Sequence, residues 1–152
     1  MQSRIAASRR PLLAAITLGL AVVLAAVVAA SAFAATRQHV VTTAKNPTLN
    51  KRILVTTKGL TLYSLSVERK GRFICTDGAC LSFWHPLLVR KGTIPTGVSH
   101  LGTVRRPGSS SRVQVTFRGA PLYTFYLDRK RGDVGGEGFK DVGTWHAASV
   151  GR

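Results

Sequence analysis

The chain has 152 residues, with 22 Lys and Arg against 6 Asp and Glu, so its formal net charge at pH 7 is +16. About 100 residues remain after the N-terminal region, enough for one small hydrophobic core but not for two independent domains. No spacing typical of a Ser-His-Asp or Cys-His catalytic set stands out, so we expect a protein that is not an enzyme.

Residues 1–35 are predicted to be a signal peptide or a signal anchor. Three arginines precede an uncharged run at 11–36, in which Ala32-Phe33-Ala34 offers the small-x-small pattern that a signal peptidase cleaves. The run is also long enough to span a bilayer as an uncleaved helix, so both alternatives stay open. Arg9-Arg10 is similar to a twin-arginine export signal, and an ordinary positive n-region is the alternative. In each case the rest of the chain is expected outside the cytoplasm.

The exported part is strongly basic, because 19 Lys and Arg stand against 6 acidic residues after residue 34. Its location makes nucleic acid a poor first choice of partner. Anionic components of the cell envelope, either wall polymers or lipid headgroups, are the expected partners, and simple solubility is the alternative. The basic residues form scattered pairs, such as Arg69-Lys70 and Arg105-Arg106, and we expect these in solvated turns. Binding of this kind should weaken steeply with salt.

Residues 36–50 are polar and lack a sustained period, which is typical of a linker. The remaining 51–152 are predicted to be a single β domain that contains an internal repeat. ILVTTKGLTLYSLSVERK begins at Ile53, and VQVTFRGAPLYTFYLDRK begins at Val113, 60 residues later. A unit this short cannot easily bury its apolar face alone. We therefore expect the two copies, 53–100 and 113–150, to pack around one shared core with pseudo-twofold symmetry.

Each copy is expected to open with a β-hairpin, whose second strand spans 60–67 in the first copy and 120–127 in the second. Lys58-Gly59 and Arg118-Gly119 predict two-residue turns, because Gly accepts a positive φ. The alternation that places Tyr123, Phe125 and Leu127 on one face marks that face as buried, and Val67 is on the matching face of the first copy. The other predicted elements are a helical turn at 78–84, a short strand at 87–90, a loop at 92–102, a turn at 107–111 and a last strand at 144–150.

Cys75 and Cys80 are the two cysteines of the chain, and both lie in the exported part. Four residues separate them, and these residues can turn. An oxidising compartment favours a disulfide between them. A reactive thiol pair is the alternative.

The two copies also resemble a known family. Gly119, Leu122, Tyr123, Phe125 and Asp128 fit the pattern G-x-x-L-Y-x-[aromatic]-x-x-D. The first copy fits it at Gly59, Leu62 and Tyr63 and departs from it twice, with Leu65 for the aromatic residue and Glu68 for Asp. The stretch CTDGACLSFWHPLL, which contains Trp84, and the closing G-x-W at Trp145 complete the likeness. Together they resemble exported bacterial repeats of unknown function, described as predicted lipoproteins with a Yx(FWY)xxD motif. The resemblance implies fold and location rather than chemistry. No cysteine precedes Cys75, so a lipid anchor is not expected.

Two histidines beside the tryptophans are the candidate metal ligands. His85 follows Trp84 and His146 follows Trp145, so pseudo-symmetry could join them as ligands of copper, zinc or haem iron. Strand alternation points them outward if the tryptophans point into the core, which favours a domain without a cofactor. A metal- or haem-linked redox protein is therefore the alternative to the leading hypothesis, a non-enzymatic binding or structural module of the cell envelope.

Tyr63 and Tyr123 are expected in the core with bonded hydroxyls rather than as redox or stacking residues. Glu68 and Asp128 are expected to cap turns or form ion pairs rather than to act as an acid–base pair. The Gly-rich segment 131–138 is expected to be a mobile turn. Its nearby acidic residues are expected not to bind Ca²⁺, because their surroundings are basic.

Overall fold

A computed structural model describes residues 35–69 and 71–151, and strands dominate it. The predicted N-terminal helix lies outside the described residues. Among the helices that are described, none has the length and apolar character needed to cross a membrane. The strands are β1 Arg37–His39, β2 Val41–Asn46, β3 Lys51–Thr56, β4 Tyr63–Leu65, β5 Trp84–Pro86, β6 Leu88–Arg90, β7 Ile94–Thr96, β8 Leu101–Val104, β9 Arg112–Phe117, β10 Ala120–Pro121, β11 Tyr123–Phe125 and β12 Trp145–Ala147. Helix α1 spans Gly78–Phe83.

The segment predicted as a linker is part of the folded domain, so that prediction was wrong. β2 pairs antiparallel with β3 over six residues, from Val41 opposite Thr56 to Asn46 opposite Lys51. Val41 is fully buried. Only the two ends of this strand are buried, and the residues between them are mostly polar. The sequence therefore shows no apolar periodicity that would predict a strand. The domain therefore begins near residue 35.

The loop predicted at 92–102 is also wrong in part. It contains β7, which pairs parallel with β1, and the start of β8, which pairs antiparallel with β9. β9 also pairs with β6 and with β10, so it is the central strand of this sheet. A three-residue strand with a proline at its centre carries too little pattern to be recognised from sequence.

A second four-stranded sheet has the order β12-β4-β11-β5. Its central strands, β4 and β11, come from the two copies of the repeat and place Tyr63 directly opposite Tyr123. On the outer sides, β12 places Trp145 opposite Leu65, and β5 places Trp84 opposite Phe125. Strands of the first and second copy therefore alternate across the sheet.

The two hairpin turns differ in length. In the second hairpin, Phe117 pairs with Ala120 around Arg118 and Gly119, whose φ angles are 49° and 79°. In the first, the Thr56 N–H donates to the Leu60 carbonyl at 2.8 Å, so three residues form the turn. The prediction of a two-residue turn at Lys58-Gly59 is therefore wrong, and the copies cannot keep a constant offset of 60 through the hairpin.

The interior consists of two hydrophobic clusters rather than one shared core. Leu62 and Leu122 lie in the first cluster, whereas their chain neighbours Tyr63 and Tyr123 lie in the second. All four are fully buried. Each of these short segments therefore has one face in each cluster. Apolar alternation marks only one face of a strand as buried, so it identifies only half of the buried residues here. The first cluster contains Val40, Val41, Leu54, Val89, Val115, Phe117 and Ala148, and the second contains Leu65, Cys75, Trp84, Phe125 and Trp145.

The predicted strands at 60–67 and 120–127 are too long at their C-terminal ends. Leu127 is 51% exposed and Val67 is 41% exposed, although both were expected on the buried face. Both residues lie within turns, because the Asp128 N–H donates to the Phe125 carbonyl and the Glu68 N–H donates to the Leu65 carbonyl. These turns carry the two acidic residues inward.

The helical turn at 78–84 is confirmed as α1. Asp77 is its N-cap residue, and its Oδ1 accepts the Cys80 N–H at 2.9 Å. The helix ends at Phe83, where β5 begins and pairs with β11. This arrangement carries the disulfide segment directly into the second sheet.

Candidate functional site

The two motif tyrosines donate hydrogen bonds to the acidic residue of the other copy. The Tyr63 hydroxyl donates to Oδ2 of Asp128 at 2.5 Å, and the Tyr123 hydroxyl donates to Oε2 of Glu68 at 2.8 Å. All four side chains are buried. The carboxylates therefore link the copies to each other.

The remaining carboxylate oxygens accept backbone N–H groups. Oε1 of Glu68 accepts from Ile74 and Cys75 at 2.7 and 2.8 Å, and Oδ1 of Asp128 accepts from Gly135 at 2.9 Å. Every carboxylate oxygen of this pair thus has a protein donor, as a buried charge requires. Neither acid forms an ion pair with a Lys or Arg of the described residues.

A buried arginine extends this network. The prediction that the Arg105-Arg106 pair is solvated was wrong for Arg106, whereas Arg105 is exposed. Arg106 is 8% exposed and donates to Oε1 of Gln114 at 2.7 Å, to the Tyr123 hydroxyl at 3.0 Å and to the Cys75 carbonyl at 2.6 Å. Its guanidinium also lies 4.8 Å from the ring centroid of Phe73. Tyr123 therefore connects Arg106 to Glu68 through two consecutive hydrogen bonds.

Burial raises the pKa of both motif tyrosines far above the ordinary value of 10. The neighbouring carboxylates add to the effect, Asp128 at Tyr63 and Glu68 at Tyr123. Burial also raises the pKa of Asp128 above its ordinary 3.8, although the bonds from Tyr63 and Gly135 oppose the rise. The tyrosine hydroxyls therefore stay protonated near neutral pH and serve as donors.

The two tryptophans meet at the centre of the second cluster. The rings of Trp84 and Trp145 stack with centroids 3.8 Å apart and planes 7° from parallel. Tyr63 packs edge-on 5.5 Å from Trp84, and Tyr123 packs edge-on 5.1 Å from Trp145. Stacked and edge-to-face contacts of this kind add stability beyond area burial.

The two candidate histidines lie on opposite edges of the same sheet. His85 is on β5 and His146 is on β12, with two strands between them, so about 14 Å separates the two backbones at the usual strand spacing. Both side chains are exposed, and His146 contacts Oε1 of Glu137 at 2.9 Å. A two-histidine site is not formed. Across the described residues, no group of three or more His, Cys, Asp or Glu is arranged to hold a metal ion.

Cys75 and Cys80 form the predicted disulfide. Cys75 is buried in the second cluster, and its backbone N–H and carbonyl are bound by Glu68 and Arg106 respectively. The disulfide therefore fixes the same loop that supplies partners to the buried network.

The Gly-rich segment 131–138 packs against the second cluster, contrary to the expected mobile turn. The Gly136 N–H donates to the Tyr63 hydroxyl at 3.4 Å, and the Gly136 backbone is so close to Trp84 that a Cβ would lie 2.7 Å from that ring. Asp133 accepts two backbone N–H groups, and Glu137 binds His146 and the Ala147 N–H. These acids act separately and do not converge as Ca²⁺ ligands.

Two adjoining grooves form a basic surface beside the turn of the second hairpin. The larger, about 770 Å³, is lined by Lys51, Arg52 and Arg118, and the smaller, about 210 Å³, by Arg69 and Arg118. Ser149 borders both. No acidic residue lines either groove, so we refer to this surface, defined by these four cations, as the basic groove.

A different groove of about 450 Å³ lies alongside α1. Phe83 and Phe139 form its exposed walls, the edge of Trp84 forms its floor, and its rim carries Asp77, Asp141 and Lys140. We refer to it as the aromatic groove. Its concave, mainly apolar lining with a few polar groups is typical of a ligand site.

Sequence reasoning missed Arg106, Gln114 and both grooves. Gln114 was the available signal, because a fully buried amide between two valines of a strand requires a polar partner. The grooves bring together residues far apart in the chain, and no local pattern indicates them.

Residues 109–149 match the model of a family named Lipoprotein_15 and described as a secreted repeat of unknown function. No curated protein and no solved structure is detectably similar to the chain. The matched segment holds β9 to β12, including Tyr123, Asp128 and Trp145. The resemblance to the exported repeat family is therefore confirmed over the second copy of the repeat.

Proposed function

We propose that the chain is an exported domain of the cell envelope that binds an anionic polymer and performs no catalysis. The basic groove carries this proposal, because four cations border one concave surface that no acidic residue lines. Electrostatic attraction of this kind is the main source of affinity for polyanions. The match to a secreted repeat supports action outside the cytoplasm, through either a secreted form or a membrane-anchored form.

The positions of the acidic residues leave the positive electrostatic potential at the basic groove largely unopposed. Glu68 and Asp128 are buried and fully bonded within the protein. Glu137 is committed to His146 and to the Ala147 N–H. Few negative charges therefore remain to oppose an anion that approaches the basic groove.

The state of the buried polar groups supports binding over catalysis. A general acid or base needs a pKa near the working pH and access to a substrate proton. Tyr63 and Tyr123 have pKa values raised far above 10, and both are fully buried. Their hydrogen bonds satisfy the carboxylates that would otherwise be candidates. We therefore assign the network to folding.

We further propose that the domain is a duplicated unit with pseudo-twofold symmetry. Matching rings of three backbone bonds support this: Leu54, Leu62 and Ala148 form one ring, and Val115, Leu122 and Leu87 form the other. Each ring takes two members from one copy and one from the other copy. The offsets between matching members are 60 or 61 residues, and the longer first turn accounts for the offset of 61 between Leu54 and Val115. Such exchange makes the copies interdependent and gives the grooves a rigid frame.

The alternative of a metal- or haem-linked redox protein is less favoured. It requires His85 and His146 to share an ion, and these residues lie on opposite edge strands. We propose that the domain uses neither histidine as a ligand and needs no cofactor.

A pair of triple variants tests polymer binding. Lys51→Gln, Arg52→Gln and Arg118→Gln together neutralise the basic groove, whereas a control triple neutralises Arg129, Lys130 and Lys140, which do not line it. Both variants lose the same charge. Binding to inorganic polyphosphate and to poly-L-glutamate is measured by fluorescence anisotropy from about 50 to 200 mM salt, the range over which such contacts change affinity most.

The groove triple should lose most of the affinity and reduce the slope of log affinity against log salt by roughly 2 to 3, because about one counterion is released per neutralised contact. The control triple should lose much less. Equal losses in the two variants would show that only net charge matters, and salt-independent binding would contradict the proposal outright.

A further inference from the structure

The aromatic groove carries more acidic than basic residues, whereas the protein as a whole is strongly basic. Its rim carries Asp77 and Asp141, two of the six acidic residues of the chain. Among the described residues, Lys140 is the one cation that lines it, and no Lys or Arg nitrogen lies within 4.0 Å of either carboxylate. The groove therefore presents two carboxylates that the protein itself does not neutralise.

Only backbone N–H groups of the described residues bond these two carboxylates. Oδ1 of Asp77 accepts the Cys80 N–H, and Oδ1 of Asp141 accepts the Val142 N–H at 2.7 Å. The backbone N–H groups of Ala79 and Asp77 also act on the Asp77 carboxylate. The backbone bond from Cys80 also lowers the pKa of Asp77, so that carboxylate stays ionised over the whole neutral range.

The walls between the carboxylates are aromatic and accessible. Phe83 is 42% exposed and Phe139 is 43% exposed. Each phenylalanine packs edge-on against another ring, Phe139 at 5.9 Å from Trp84 and Phe83 at 4.8 Å from Tyr126. The negative faces of aromatic rings attract cations, and this attraction is strongest for organic ammonium groups that carry little hydration.

We infer that the aromatic groove binds an organic ammonium group, held by Phe83 and Phe139 and neutralised by Asp77 and Asp141. An apolar carbon skeleton next to the ammonium would fill the space against the edge of Trp84. Two sources carry this chemistry, a quaternary ammonium such as a choline headgroup and the ε-ammonium of a lysine side chain. The inference stands apart from polymer binding, because it concerns other residues and the opposite charge.

Nuclear magnetic resonance titration of the ¹⁵N-labelled exported domain tests the inference with two ammonium probes and their neutral counterparts. Choline is paired with 3,3-dimethylbutan-1-ol, which has the same shape without the charge, and Nα-acetyl-lysine methylamide is paired with the norleucine analogue. We expect shifts at the amides of Cys80, Phe83 and Phe139 with a dissociation constant on the order of millimolar for at least one ammonium probe. The neutral counterpart should bind more weakly, and the two ammonium arms identify the source.

Conservative variants assign the binding to this groove. Phe139→Ala should weaken binding roughly two- to fivefold through loss of the cation–π contact, and Asp141→Asn should weaken it by a similar roughly two- to fivefold factor through loss of a partly exposed charge. Lys140→Gln should strengthen it, because the competing cation is removed. The matched controls Ile94→Ala and Asp133→Asn remove an exposed apolar group and a carboxylate elsewhere, and should leave binding unchanged.

The inference is overturned if neither ammonium probe shifts these amides, or if the neutral counterparts bind equally well. Weaker binding in Lys140→Gln would also overturn it, because that result indicates an anionic ligand. The amide spectrum of each variant verifies folding before titration. If Phe139→Ala does not fold, Asp141→Asn and Lys140→Gln still give opposite expected changes.

Discussion

The Tyr63 hydroxyl donates a hydrogen bond of 2.5 Å to the Asp128 carboxylate, so a tyrosine of the first copy is satisfied by an acid of the second. Tyr123 and Glu68 form the reciprocal bond at 2.8 Å. The Tyr and the acidic residue of a single motif copy therefore never meet each other. Each half of the domain leaves its own buried carboxylate without a side-chain donor, and this makes the two halves mutually dependent for folding.

Removing the hydroxyl of either motif tyrosine should destabilise the domain, because a buried carboxylate then loses its hydrogen-bond donor. Tyr63→Phe leaves Oδ2 of Asp128 buried without its donor, and the expected loss in free energy of unfolding is about 1–3 kcal/mol. Tyr123→Phe should cost more, because both Glu68 and Arg106 lose a partner. Urea unfolding measures both. Tyr126→Phe, at a 40% exposed tyrosine, is the control and should change stability by less than about 0.5 kcal/mol.

A double-mutant cycle separates the cross-copy bond from general damage. Tyr63→Phe and Asp128→Asn should show a coupling energy of about 0.5–3 kcal/mol, as residues in direct contact do. Tyr63→Phe combined with Glu68→Gln should show a smaller coupling, because these two residues share no bond. Additive effects for the first pair would contradict the assigned partnership.

Stability should depend on pH through Asp128 in an unusual direction. Burial raises its pKa above 3.8, so the folded state holds this proton more tightly than the unfolded state does. The contribution of this carboxyl to stability is therefore full at acid pH and falls as pH rises from about 3.8 through the raised value. The free energy of unfolding of the wild type, relative to Asp128→Asn, should increase as pH falls from 7 toward 4.

Comparison with Asp128→Asn isolates this group, because all other titrations cancel in the difference. Asp77 and Asp133 have lowered pKa values, so their contributions are lost only as pH falls below about 3.8. A difference that shrinks on acidification would mean that the donors Tyr63 and Gly135 stabilise the carboxylate by more than burial costs it.

The disulfide should stabilise the domain modestly in spite of its small loop. Closing the short loop from Cys75 to Cys80 contributes about 2 kcal/mol in the chain-entropy model. Cys75→Ala with Cys80→Ala should lower the free energy of unfolding by about that amount. Mass measurement after alkylation supplies an independent check. Two alkylatable thiols in the purified exported protein without reductant would contradict the observed bond.

The repeat was visible in the sequence because the hairpin strands and the Trp-His corners keep their residue types. Tyr63 and Tyr123 could be placed in the interior from their apolar neighbours. The hydrogen-bond partner of each tyrosine could not be predicted. The partner is in the other copy, and contacts between the copies depend on the tertiary fold rather than on the local spacing of residues. The same holds for the histidines, whose tryptophan neighbours meet while they themselves end on opposite edges.

The first copy shows why constant spacing misled the alignment. Three turn residues in the first hairpin and two in the second shift the strand before the turn by one position. Val55 and Val115 match in sequence, yet Leu54 is the residue that makes the backbone bonds corresponding to those of Val115. The two turns contain chemically similar residues, Lys58-Gly59 in the first hairpin and Arg118-Gly119 in the second. The extra turn residue of the first hairpin therefore could not be recognised from the sequence alone. β2 escaped detection for a related reason, because its buried residues are too few to form a period.

A single methyl group added at Gly136 should destabilise the domain, because this backbone closes over the stacked tryptophans. A Cβ there would lie 2.7 Å from Cη2 of Trp84 and 3.1 Å from Cε1 of Tyr63, and both rings are fixed by their own packing. Gly136→Ala should therefore cost about 1–3 kcal/mol through overpacking, measured by urea unfolding followed by tryptophan fluorescence. The control is Gly78→Ala, where no atom lies within 4 Å and the residue begins α1. It should be neutral or stabilise the domain by up to about 1 kcal/mol, since Ala favours a helix over Gly. Equal stability of the two variants would show that the loop at Gly136 yields freely and does not hold the tryptophan pair in place.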